Sequence, residues 1–411
     1  MSATLEEVRA WDADDPLAKF RDRFVLPPGV IYLDGNSLGP LPAAAKARLA
    51  GAIEREWGAG LVRSWNDADW IGSPARVGGK IARLIGAGAN EVVVADSTSV
   101  NLFKLIAAAL AARPGRRAIL TETGNFPTDL YVAQGVASFL PDVEVRAVPR
   151  EAVEASIDGD VAVVMLTHVH YKSAARWDMA AITKRAHQVG ALMLWDLSHS
   201  AGALEIDLRG SEADLAVGCG YKYLNGGPGA PAFLFVAEHL RDELRSPLFG
   251  WMGHDAAFDF IDDYRPASGI GRFLCGTPPI LGVLALEVGV DLALEADLGA
   301  VELKAARLWD LFAGRVEARC ASQGFELLTS RVAVRRGTHI AFAHPEGYRI
   351  MQALIGRGVI GDFRDPDVVR FAITPLYLGY EDVWRAVEIL SDVMQSGAWR
   401  DLPPRSSGRV T

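Results

Sequence analysis

The sequence predicts an α/β fold: a large domain on a mostly parallel seven-stranded sheet, followed by a smaller C-terminal α+β domain. Three observations predict it. Short apolar runs alternate with helical stretches from about residue 75 onward. The runs are continuously apolar, the pattern of strands buried on both faces. The chain has 411 residues, 50% of them hydrophobic, enough for more than one core.

The elements follow in order. Residues 1–50 read as an irregular N-terminal arm, because Pro27-Pro28-Gly29 and Asp34-Gly35-Asn36-Ser37-Leu38-Gly39-Pro40 are turn chemistry. A helix is expected from about Ala43 to Trp57. The large domain is placed at 51–278. Its seven apolar runs are Glu91–Ala95, Ala118–Thr121, Val143–Val148, Val161–Leu166, Leu192–Asp196, Asp214–Cys219 and Phe233–Val236. Helical stretches such as Ser99–Ala112 and Met179–Val189 separate them, so right-handed strand–helix–strand crossovers are expected. A long helix is expected from Pro279 through Leu298, opening a small domain at 279–400. Residues 401–411, rich in Pro, Ser, Gly and Arg, read as a disordered tail.

Composition excludes several classes. A net charge of −9, with Lys and Arg scattered, disfavours a nucleic-acid partner, which needs a basic face. The most apolar helical stretch, Leu281 to Leu298, is interrupted by Glu287, Asp291 and Glu295, so no membrane span is expected. Met1 to Asp15 lacks a basic n-region and an apolar h-region, so the protein is expected to be cytoplasmic. Cys219, Cys275 and Cys320 are too few and too spread for a disulfide framework or a metal site, and no metal is expected.

In doubly wound sheets ligands bind beyond the carboxyl ends of the strands. Asp196 ends one apolar run, and a carboxylate buried there needs a partner. A protonated pyridine nitrogen is one such partner, and an Asp capping the next helix is the plainer reading. Lys222 lies 26 residues on, flanked by glycines that permit a sharp turn. A desolvated lysine there can act as a Schiff-base nucleophile, although a lone lysine after a strand is usually a solvated surface group. Asp96-Ser97-Thr98-Ser99 opens a helix after the first run, where hydroxyls and free N–H groups suit a phosphate; taken alone, a simple N-cap by Ser97 or Thr98 is the better reading. Gly124-Asn125-Phe126-Pro127-Thr128-Asp129 offers an aromatic that could stack on a planar ring, or merely turn chemistry. Neither a Gly-x-Gly-x-x-Gly fingerprint nor a Walker A pattern is present.

The Asp196–Lys222 spacing resembles the fold-type-I enzymes that depend on pyridoxal 5′-phosphate (PLP). Longer strings resemble the kynureninase family: Leu33–Pro40, Ser99–Leu102, Asn125–Asp129, Trp195–Gly202, Tyr221–Gly229, Gly276–Ile280 and Val369–Tyr377. They occur in the expected order across about residues 30 to 380. The resemblance implies hydrolysis of L-kynurenine to anthranilate and L-alanine in tryptophan catabolism and NAD biosynthesis. It implies PLP on Lys222, Asp196 on the pyridine nitrogen with His199 beside it, and Thr98, Ser99 and Tyr221 on the phosphate. Phe126 would stack on the ring, Pro127, Thr128 and Asp129 would lie close by, and Thr167 would hydrogen-bond the cofactor. Trp251 and Thr277 would reach the phosphate of the other subunit, which implies a homodimer. Arg370 would grip the substrate α-carboxylate as a bidentate pair, and Asn36, Ser37 and Trp65 would border the substrate. Tyr221 replaces the His that many relatives of the wider superfamily carry before the lysine; a phenol can bind phosphate and pass a proton. Trp65 and Gly276-Thr277 resemble the bacterial form, which implies a preference for kynurenine over 3-hydroxykynurenine. The competing readings are a cysteine desulfurase or group-V aminotransferase, which Cys275 and Cys320 fit poorly, and a non-catalytic PLP-fold binding protein.

Overall fold

The computed structural model describes residues 3–405. The chain divides into two compact units. One comprises residues 45–171 and 177–295; the other comprises the chain up to residue 44, a short excursion at 172–176, and residues from 296 onward.

The first unit carries seven strands: β1 (Val92–Val94), β2 (Ala118–Glu122), β3 (Glu144–Val148), β4 (Val161–Thr167), β5 (Leu192–Asp196), β6 (Leu215–Gly218) and β7 (Phe233–Val236). They correspond one for one to the apolar runs of the sequence. The order is β1-β7-β6-β5-β4-β2-β3. Neighbours from β6 to β3 pair in parallel, whereas β7 is antiparallel to both β1 and β6. The sheet is therefore mixed, with β7 as its one reversed strand. The carboxyl ends of β1, β2, β4, β5 and β6 share one edge, the edge on which such folds bind ligands.

Burial explains the continuous apolar runs. All strands are buried along their length except β3, where Glu144 and Ala147 are exposed. β3 is an edge strand, and its Glu144 and Arg146 discourage pairing with another chain. β1, at the other edge, is covered by the helix Ser73–Leu84, which buries Val77, Ile81 and Leu84. Each such side chain contributes about 1.5–3 kcal/mol. Gly78 permits that contact: a Cβ there would lie 2.3 Å from the Val92 carbonyl oxygen.

The second unit holds an antiparallel sheet of β8 (Glu326–Leu327), β9 (His339–Ala343), β10 (Asp362–Arg364) and β11 (Val368–Ala372), ordered β8-β9-β11-β10. The helices Leu298–Cys320, Gly347–Gly356 and Tyr380–Ser396 belong to it. A short parallel pairing of Ile31–Tyr32 with Val359–Ile360, continued by Ala372 N–H to Leu33 C=O at 2.7 Å, carries the Asp34–Ser37 turn to this sheet.

Three expectations are corrected. The segment read as an irregular arm contains the helix Leu5–Ala13, started by a capping box in which Thr4 and Glu7 satisfy each other's backbone N–H. The helix begun at Ala43 is α-helical only to Gly51 and continues as a π-helix over Ala52–Gly60. The long helix from Pro279 is two helices, Ile280–Leu294 and Leu298–Cys320. Asp297 makes the break, because its side chain accepts from Ala300 N–H at 2.9 Å and restarts the helix. The boundary between the two units falls in this break. Of the tail at 401–411, residues 406–411 lie outside the described residues. Among the described residues, no helix is long and apolar enough to cross a membrane, and no cluster of three or more His, Cys, Asp or Glu could hold a metal ion.

Candidate active site

A cavity opens at the carboxyl edge of the large sheet. It is lined from β1's end by Ser97, Thr98 and Ser99, from β2's by Phe126, Thr128 and Asp129, and from β4's by Thr167. Asp196, Ser198 and His199 follow β5, and Cys219, Tyr221 and Lys222 follow β6. Ala230 and Ala232, just before β7, complete it with small side chains.

Ser97 has extended backbone and caps the helix Thr98–Ala111, accepting from Val100 N–H at 3.3 Å. Thr98 and Ser99 thus sit in a first helical turn, whose backbone N–H groups have no partner within the helix. The positive end of the helix dipole faces the same place. Hydroxyls on such a terminus suit a phosphate dianion.

Asp196 is 3% exposed and Asp129 is 1% exposed. Burial raises both carboxyl pKa values, and the charge of Asp196 raises that of Asp129 further, well above the usual carboxylate range. Lys222 opposes the rise at both, but Asp196 has the better support for its charge, because Ser198 N–H donates to it at 2.7 Å. Asp129 is the member of the pair that keeps a proton, with the Thr167 hydroxyl 3.3 Å away. The Lys222 Nζ lies 3.0 Å from His199 Nε2 and over the Phe126 ring at 5.8 Å from its centroid. Burial, then Cys219 and Asp196, push the Tyr221 phenol upward, so it stays protonated at any working pH.

The polar groups are held from behind. Asn125, 2% exposed, accepts from the Thr167 hydroxyl and from Phe126 N–H at 2.7 Å, and donates to Thr121 Oγ1 at 3.3 Å. Phe126 packs edge-on to Tyr171, ring centroids 5.3 Å apart. No role for Asn125, Ser198 or Cys219 follows from the sequence alone, although the first two lie in strings that carry the resemblance.

The cavity brings together an amine, a charged carboxylate, a neutral one, an aromatic face and a hydroxylated helix terminus. This donor set fits PLP, whose aldehyde, ring nitrogen, ring face and phosphate each find a matching group.

Not every expected residue lines this cavity. Pro127 opens the helix Pro127–Ala137 behind it. Trp251, 39% exposed, lines a separate cleft with Phe249, His254 and Tyr264, and Thr277 is exposed. Trp65 lies in the short helix Ser64–Asp67, edge-on to Trp70.

Arg370, Asn36 and Ser37 form a second cluster, in the other unit. Arg370 on β11 faces Asp362 on β10 across the sheet. It is 2% exposed and makes a two-point contact with that carboxylate, Nε to Oδ1 at 2.8 Å and Nη2 to Oδ2. Ser37 donates to Asp362 at 2.6 Å and accepts from Arg370 at 3.2 Å. Arg364 pairs with Asp362 at 2.8 Å. Asn36, with its amide turned to satisfy both neighbours, accepts from Arg370 Nε at 2.9 Å and donates to Asp34 at 3.1 Å. Burial acts upward on Asp362, but Arg370, Arg364 and Ser37 outweigh it and hold the carboxyl below the usual range. Asp34, buried and next to the Asp362 charge, is pushed up to about 8.

A kynureninase from Burkholderia pseudomallei (strain K96243) is 51% identical over 403 residues, covering 97% of both chains. The chain belongs to the kynureninase family. A kynureninase from Pseudomonas fluorescens is 50% identical, over 96% of this chain and 97% of its own. The kynureninase C-terminal domain family matches residues 301–390, which include Cys320 and Arg370. Solved structures extend the fold relationship beyond kynureninases. A cysteine desulfurase from Thermococcus onnurineus superposes with a TM-score of 0.77 at 18% identity, over 96% of this chain and 100% of its own. A C-DES mutant with glycine covalently linked to its PLP cofactor gives 0.77 at 17% identity, over 90% and 99%. At such identities the likeness of these two to this chain shows the fold alone.

Proposed function

We propose that this chain hydrolyses L-kynurenine to anthranilate and L-alanine, with PLP on Lys222. The observation that carries the reading is identity of about half to kynureninases over nearly the whole chain. The cavity supplies the chemistry that the reaction needs. Bound PLP supplies an electron sink for the carbanion formed at the substrate's Cα.

The residues divide the work. Asp196, the carboxylate that keeps its charge, holds a proton on the cofactor's ring nitrogen. Asp129 stays neutral, braced by Thr167. Lys222, within reach of His199 Nε2, removes the substrate's α-proton. Thr98, Ser99 and Tyr221 bind the phosphate and Phe126 covers the ring; Pro127 sets the start of the helix that carries Thr128 and Asp129. Arg370 takes the α-carboxylate, steadied by Asn36 and Ser37, and Trp65 borders the aryl group. Water adds to the γ-carbonyl, the Cβ–Cγ bond breaks to release anthranilate, Tyr221, a phenol that holds its proton, delivers it to Cβ, and Lys222 returns a proton to Cα to complete alanine.

Two finer statements belong to the same reading. The enzyme is a cytoplasmic homodimer, with Trp251 and Thr277 of each subunit completing the phosphate site of the other; their position off the cavity of their own chain supports this. Kynurenine is preferred to 3-hydroxykynurenine. The desulfurase alternative is disfavoured by Cys320, which ends a helix, is 2% exposed and whose thiol is pushed up to about 11 by burial, the reverse of an activated nucleophile. Purified protein with PLP, given each substrate in turn, tests the activity and the preference: anthranilate should form faster than 3-hydroxyanthranilate. Sulfide from cysteine and no anthranilate would reverse the assignment.

A further inference from the structure

We propose that Lys104 is a positioning residue for the cofactor's phosphate: it neutralises Asp96 at the entrance to the Thr98–Ala111 helix, and so keeps that helix terminus attractive to a dianion. The inference rests on the reading of Thr98 and Ser99 as the phosphate cradle.

Lys104 is fully buried, with 0% exposure, on the inner face of that helix. Its ammonium pairs with the Asp96 carboxylate and donates to the Phe273 carbonyl at 2.7 Å. Burying an ammonium is costly, and an apolar side chain of similar length would fill the same space at less cost. Its partner shows what the charge is for. Asp96 stands one residue before the Ser97 cap and two before Thr98. An uncompensated carboxylate there would repel a phosphate at short range in a partly desolvated site.

Asp96 also makes the turn. Ala95 and Asp96 still follow the sheet, exchanging backbone hydrogen bonds of 2.9 Å with Ala232. At Asp96 the chain enters the left-handed region, φ +45°, and the helix begins two residues later. Asp tolerates this conformation better than most residues but is not indifferent to it. The ion pair with Lys104 and the Cys275 thiol, 3.6 Å from both carboxylate oxygens, hold it there.

The same cluster roots a second segment. Phe273 and Cys275 lie just before Gly276-Thr277, and the Cys275 carbonyl accepts from Met252 N–H at 3.2 Å. A Cβ on Gly250 would lie 2.3 Å from that carbonyl oxygen, so the Trp251 turn must approach closely. One buried ammonium therefore fixes both the Thr98–Ser99 terminus and the base of the segments bearing Trp251 and Thr277.

The test uses the full chain as wild type, K104M, D96N and the double variant D96N/K104M. Each apoprotein is titrated with PLP and, separately, with pyridoxal, which lacks the phosphate. K104M should bind PLP roughly ten- to a hundred-fold more weakly while its affinity for pyridoxal changes less than about three-fold. The double variant, which leaves no net charge, should recover most of the PLP affinity. Equal losses for both ligands, or no recovery in the double variant, would overturn the proposal. Apoprotein melting temperatures report folding. If K104M alone does not fold, the double variant carries the test: it should fold and bind PLP within about ten-fold of wild type, and a larger loss shared by pyridoxal overturns the role. K222A is run alongside. A wild-type protein that forms no lysine-linked absorbance band would defeat the cofactor reading itself, independently of Lys104.

Discussion

Two buried carboxylates, Asp196 and Asp129, share the cavity with one lysine, and their surroundings drive them apart. Burial raises both and the Lys222 charge lowers both, but Ser198 N–H favours an ionised Asp196, whereas the Asp196 charge pushes Asp129 further up. D196N should therefore lower turnover by two orders of magnitude or more while D129N, which imitates a neutral acid, is far milder; kcat for both at saturating PLP decides it. K222A should lose both turnover and the lysine-linked absorbance band. Arg370 makes a different demand. Its two-point contact with Asp362 fixes the plane of the guanidinium, so R370K should raise KM for kynurenine by roughly ten-fold or more, with a smaller effect on kcat. Much of this is legible in the residues. Asp196 and Lys222 stand at the ends of apolar runs one crossover apart, and Thr98 and Ser99 open a helix. The braces are not legible. Asp362 reaches Arg370 only through strand pairing, and Lys104 reaches Asp96 only because both face the interior at one helix end.

At the scale of elements, the large sheet was written in its apolar runs, and all seven became strands. What the runs could not reveal is direction: β7 is reversed, because Gly220 to Pro231 turns the chain straight back instead of crossing over through a helix. The apolar pattern from Pro279 continues past the end of its helix at Leu294, because the break is made by the Asp297 cap, which a hydrophobic pattern does not register. Two substitutions test the element-level account. G78A places a methyl against the Val92 carbonyl and should destabilise the chain by about 1–3 kcal/mol, read from denaturant midpoints. Asp34 sets a pH dependence. Its folded pKa, near 8, lies above its ordinary value of 3.8, so the folded chain holds a proton that the unfolded chain releases. That contribution is full below about pH 4 and is lost as pH rises toward 8. D34N should flatten the fall in melting temperature across this window. Asp362, with its lowered pKa, acts in the opposite sense and only below the window, so the two effects separate.

For the whole molecule, the reading requires two subunits. Aromatic side chains at Phe249, Phe258 and Phe260 are 62%, 61% and 76% exposed in the single chain, around the cleft that holds Trp251. An apolar surface of this kind suits a self-association face. Subunit mixing tests it. K222A and W251A are each expected to be weak alone, but a heterodimer regains one site with an intact Lys222 and an intact Trp251. An equal mixture should recover about a quarter of wild-type activity, and no recovery would place Trp251 outside a shared site. The central claim concerns the bond that breaks, and product analysis tests it most directly. Purified protein with PLP and L-kynurenine should yield anthranilate and L-alanine in equal amounts. Consumption of kynurenine without alanine, or no consumption by a protein that carries lysine-linked PLP, would contradict it.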